Sequence, residues 1–157
     1  MAQTARDTVR RSLQAYAVRG VLRSFDEVPA KGSQTRFRFL WHGDRPLDLS
    51  VDTRSGTLRF NNLLPNLPSD SVLYAELKRF LKLRTSTDLP VHRRIDARRA
   101  ELGCFNRGGN VSIALKVRNN EYAYGVKRLV NLVHEMFVEL NASWAEYMNE
   151  NFDARQD

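Results

Sequence analysis

The stretch PVHRRIDARRAEL, residues 90–102, places Arg93, Arg94, Arg98 and Arg99 within seven positions. Guanidinium groups at that density hold anions, pair with carboxylates of the same or a neighbouring subunit, or stand solvated. Nucleic-acid binders join such charge to aromatic residues or to a groove-reading helix. This stretch carries no aromatic residue. Arg36 and Arg38, on the polar side of TRFRFLWH, would extend a basic surface over the outer face of a sheet. The carboxylates available for pairing are Glu135, Glu139, Glu146 and Glu150, near the end of the chain. All three readings stay open from sequence.

The other chemistry-bearing residues form no catalytic pattern. His134-Glu135 begins a zinc-protease pair, but that motif needs a second histidine four residues on, and the position is Val138. His42 and His92 have no ligand-type neighbour at metal spacing. The chain has no G-x-S-x-G, and Gly108-Gly109 is not followed by the Lys-Ser/Thr of a phosphate loop. Asp48, Asp52, Asp96 and Glu101 read as surface charge on a sheet's polar face. The single cysteine, Cys104, excludes an intramolecular disulfide, fits a reducing compartment, and reads as a small core residue. The expectation is a non-enzymatic binding module without cofactor, metal or catalytic residue.

Composition agrees with one soluble-type domain over residues 1–157, the last few residues being expected to be disordered. The chain is 42% hydrophobic and 27% charged. No apolar run approaches the ~18 residues of a membrane span. The basic, amphipathic start lacks the apolar stretch of a secretory signal, so a cytoplasmic location is expected. Charge is uneven. Residues 1–120 carry 22 Lys/Arg against 11 Asp/Glu, and residues 121–157 carry 3 against 7, so a +11 body precedes a −4 segment. Such a body attracts polyanions or pairs with acidic surfaces.

The elements that must position these residues follow from periodicity. Residues 3–25 read as a helix, with Val9, Leu13, Tyr16, Ala17 and Val21 at spacings of three and four, which Gly20 is able to end early. TRFRFLWH, PLDLSVDT and TLRF alternate apolar and polar residues, as an antiparallel meander does. NNLLPNLPSD reads as a loop, with Ser69 and Asp70 as N-cap candidates for a helix over 70–84. ELGCFNRGGNVSIALKV reads as a hairpin turning at Gly108-Gly109. From Glu121 to about Asn151 one long helix carries Val126, Val130, Val133, Phe137, Leu140, Trp144 and Tyr147. Leu129, Leu132 and Met136 form a second apolar stripe beside the first. One sheet face shared by three helices leaves that stripe as a partner surface, so a homodimer is expected. The fold class is α+β: an antiparallel sheet of about five strands with helices packed on it, in the order α-β-β-β-α-β-β-α.

That order resembles the type III secretion chaperone-like fold, shared with the YbjN-type sensory-transduction regulator family. TRFRFLWH, PLDLSVDT and TLRF match the meander, DSVLYAELKRFL the middle helix, ELGCFNRGGNVSIALKV the later hairpin and YGVKRLVNLVHEMFVEL the closing helix. The resemblance implies a small, often dimeric cytoplasmic module that binds an extended protein segment. Secretion chaperones of this type are usually acidic, whereas this chain carries +7. The alternative reading is a nucleic-acid-binding module using Arg36, Arg38, Arg93, Arg94, Arg98 and Arg99.

Overall fold

A computed structural model describes residues 2–29, 32–43 and 45–152. The expectation of a disordered C-terminus falls on residues outside that set. The elements run α1 (Ala2–Val18), β1 (Arg23–Pro29), β2 (Gln34–Leu40), β3 (Pro46–Asp52), β4 (Thr57–Leu64), α2 (Val72–Lys82), β5 (Ala100–Arg107), β6 (Asn110–Val117), α3 (Tyr122–Ser143) and α4 (Ala145–Asn151). All six strands form one antiparallel sheet in the order β1-β2-β3-β4-β6-β5. The α+β class is as expected, with six strands in place of about five.

The extra strand is β1. The initial helix ends at Val18 because Gly20, at φ +80°, takes the left-handed position. The Val21 N–H then bonds the Tyr16 carbonyl at 2.9 Å, and the Gly20 N–H bonds the Ala17 carbonyl at 3.0 Å. That paired closure turns the chain out of the helix. Residues 23–29 then add to β2 as an edge strand, with an irregularity between Arg23 and Asp26.

Period-two alternation sorts the sheet into two faces. Phe37, Phe39, Leu47, Leu49, Val51, Leu58, Phe60, Ile113 and Leu115 point into the core and are essentially inaccessible. Truncating one of the phenylalanines to alanine would cost about 3–5 kcal/mol. The opposite face is polar. One row runs Val28, Arg36, Ser50, Arg59, Ala114 and Gly103 across all six strands. There the Phe105 ring closes over Gly103, where an added Cβ would meet its edge at 3.1 Å. The Arg59 guanidinium lies 4.9 Å from the centre of the same ring.

Three details of the chain differ from expectation. β4 continues through Leu63 and Leu64, which are fully buried, so NNLL belongs to the sheet. The cap of α2 is Ser71, whose Oγ accepts the Tyr74 N–H at 3.2 Å. The closing helix breaks at Trp144; the redirected α4 buries Met148, and Phe152 is buried just past its end.

The second stripe on α3 is a larger correction. Leu129, Leu132 and Met136 are all at most 3% exposed within the single chain. They are core residues and not a partner surface. α3 packs on β6 and against α1 and α4, so both stripes are used internally. Gly125 lets α3 approach the sheet, since a Cβ there would stand 2.5 Å from Val117 and 2.8 Å from Leu58.

Candidate functional site

The arginine loop, residues 90–99, crosses from the end of α2 to β5 and lies against α3. Helical spacing places Tyr124, Arg128 and Glu135 along one side of α3, in line with Glu121 just before its first turn, and each meets the loop. Tyr124 Oη accepts the Asp96 N–H at 2.9 Å. Arg128 donates to the carbonyls of Arg94 and Val91 at 3.2 and 3.4 Å. Ile95 fills the space beneath at 1% exposure. The loop is therefore a built feature with its own anchor and backbone ties.

Its arginines have separate fates. Arg93 donates from Nε and Nη2 to both oxygens of Glu135, at 2.7 and 3.2 Å. Arg98 grips Asp96 from the same loop at 3.1 and 3.0 Å. That contact, with the Arg98 backbone N–H, holds the Asp96 carboxyl down to about 2. Arg99 pairs with Glu121 and lies 3.7 Å from the centre of the Tyr124 ring. Arg94 has no side-chain partner among the described residues. Of the four glutamates expected opposite the loop, only Glu135 is paired with it; Glu139 accepts from Ser143 instead.

Glu135 also takes Arg84, a cation 4% exposed whose guanidinium sits 4.8 Å from the Phe80 ring centre. Burial alone would raise the Glu135 pKa, but the Arg93 hydrogen bond and the charges of Arg84 and Arg93 overcome it and lower the net value. Sequence reasoning missed Arg84, Tyr124 and Arg128. For Tyr124 and Arg128 the signal was their spacing of three and then four residues after Glu121, which sets them on one side of the helix; Arg84 had no such signal.

Beside this loop, strand β5 ends the sheet and presents a free edge. A groove of about 480 Å³ runs between that edge and α2. Leu81, Leu102 and Cys104 supply its apolar surface, and Lys78, Lys82 and Arg118 its charge. The Cys104 Sγ lies 3.8 Å from Tyr74 Oη, and burial pushes the thiol up. Cys104 is half-buried at the groove wall, where the sequence placed it in the core.

At the other end of the core, Trp41, His42, His134, Phe137 and Phe152 form an aromatic cluster. Among the described residues, no three His, Cys, Asp or Glu side chains come together as a metal site. None of the described helices is long and apolar enough to cross a membrane. No family model, curated protein or solved structure matches the chain.

Proposed function

We propose that this protein is a non-enzymatic, cytoplasmic binding module that receives an extended, acidic protein segment as an added strand on β5. The observation that carries the reading is the coincidence of a terminal strand with a long groove. The edge offers unpaired backbone groups, and main-chain hydrogen bonds there supply affinity. Alternate side chains of the added strand would enter the space lined by Leu81, Leu102 and Cys104. Lys78, Lys82 and Arg118 against the single carboxylate Glu101 favour acidic residues in that strand. The chaperone-like element order, which implies binding of an extended segment, agrees with this.

The nucleic-acid alternative draws less support. Arg36, Arg93, Arg98 and Arg99 are each engaged with a carboxylate of the same chain. The homodimer expectation rested on Leu129, Leu132 and Met136, which are buried within the chain. A second copy pairing edge to edge through β5 is a symmetric arrangement that does not need those residues.

The test is selection from a displayed library of unstructured twelve-residue peptides, followed by amide exchange on the winning complex. The reading expects alternating apolar and acidic sequences, and slowed exchange in residues 101–106. Reversing Lys78 and Lys82 to glutamate should switch the selection towards basic peptides. Enriched peptides that leave the β5 amides unprotected would refute the site. Concentration-dependent dimerisation with the same protection would replace the peptide by a second copy.

A further inference from the structure

We propose that the cleft between the arginine loop and α3 is a binding site for a phosphate monoester dianion on a small molecule. This inference is independent of the β5 edge. The cleft encloses about 410 Å³ and is lined by Arg94, Arg98, Arg99, Arg128, Tyr124 and the two threonines Thr85 and Thr87.

The charge count sets the ligand class. Four guanidinium groups face the cleft. Asp96 answers Arg98 and Glu121 answers Arg99, which leaves a formal +2 on Arg94 and Arg128. Among the described residues, Arg128 donates hydrogen bonds to backbone carbonyls and meets no carboxylate, and Arg94 has no side-chain partner. A phosphate monoester carries about −1.5 to −2 at neutral pH with acceptor oxygens on three sides, which matches that surplus. The donors are also uncommitted. Arg98 and Arg99 use Nε and Nη2 on their carboxylates, so each retains a free Nη1. Planar guanidinium forks suit phosphate oxygens better than ammonium groups do.

The walls are preorganised. Tyr124 carries Arg99 at 3.7 Å and Arg128 at 4.9 Å from its ring centre, which fixes both cations without neutralising them. Two arginines already share the Tyr124 ring, and Tyr124 is the one aromatic side chain lining the cleft. The site therefore selects a compact phosphate group over an extended nucleic-acid strand.

The test titrates inorganic phosphate and, separately, phosphoserine into the full chain, at ionic strength matched with chloride, followed by calorimetry and thermal melting. Saturable binding is expected, stronger at pH 7.5 than at pH 5, because the second phosphate proton leaves near pH 6. Arg94→Gln should weaken it about tenfold, and Arg94→Glu should abolish it, without a change in Tm of the free protein. Arg107→Gln, outside the cleft, should bind as the parent does. Tighter binding of phosphoserine than of inorganic phosphate would identify an organic phosphate as the ligand. The reverse order would make free phosphate the ligand and overturn the monoester assignment. An unsaturable Tm rise shared by the parent and Arg94→Glu would overturn the site. So would steeply salt-dependent binding of a single-stranded oligonucleotide that survives Arg94→Glu while phosphate fails to bind.

Discussion

His42 Nε2 lies 3.2 Å from His134 Nδ1, packed beside Trp41 and Phe137. A hydrogen bond between two imidazoles needs a proton on one nitrogen and a lone pair on the other. Adding a second proton sets like charges against each other. Burial first, and then the His134 ring, hold the His42 pKa down to about 4 from an ordinary 6.5. Between those values the unfolded chain binds more protons than the folded one. Stability from this residue is whole above pH 6.5 and is lost as pH falls towards 4. Solvent reaches part of the ring, which limits the effect to about 1–2 kcal/mol. Thermal melts at pH 7, 5.5 and 4 should show a stepwise fall in Tm. His42→Asn, which tolerates the local φ of +60°, should flatten that dependence.

Glu135→Gln removes the carboxylate opposite Arg84 and leaves a cation that is 4% exposed. The expected loss is about 2–4 kcal/mol, read from urea unfolding. Arg93→Gln should cost far less, because that partner is 40% exposed. The lowered Glu135 pKa adds a separate acid dependence. Its contribution is whole above about 4.5, the ordinary value, and is lost as pH falls through the lowered value. The parent should therefore keep losing stability below the His42 window, and Glu135→Gln should lose less there.

Gly125→Ala should destabilise despite alanine's better helix propensity. Propensity favours alanine by about 1 kcal/mol. The new methyl, however, falls 2.5 Å from the branched Val117 side chain and 2.8 Å from Leu58, and overpacking of this kind costs about 1–3 kcal/mol. Adding Val117→Ala should recover part of the loss, measured as a double-mutant coupling in Tm.

Cys104 should react slowly with alkylating reagents at pH 7.5, because burial raises its thiol pKa and the thiolate is the reactive form. A peptide seated along β5 should slow it further. Time-resolved mass spectrometry of iodoacetamide labelling checks both statements.

The sequence displayed the elements whose signal is strong and local. Alternation in β2 and β3 is regular because one face of each strand is buried and the other is not; β6 alternates in sequence but buries Ser112 and Ala114 on its second face as well. It concealed β1, whose RSFDEVP has little alternation and gains its place by pairing with β2. It also overstated the free surface of α3. Periodicity shows how wide an apolar arc is, but not how many neighbours cover it, and here Leu129, Leu132 and Met136 are inside. At the site, the four arginines were conspicuous. Arg98 pairs locally with Asp96, but Arg99 and Arg93 pair with Glu121 and Glu135, 22 and 42 positions away, and the buried Arg84 reaches Glu135 over 51. No local pattern encodes such distances.

The placement of β6 against β4 has a consequence for how the chain is made. Strands β1 to β4 are sequential neighbours, so their ladder closes from short loops and forms early. The β4 edge must then wait for a strand separated from it by all of α2, the arginine loop and β5. On the ribosome, where N-terminal segments emerge first, four strands stand with an open inner edge until Val117 has been synthesised. Joining the late hairpin to the early meander is then expected to limit the folding rate, and a chain truncated after α2 should associate edge to edge.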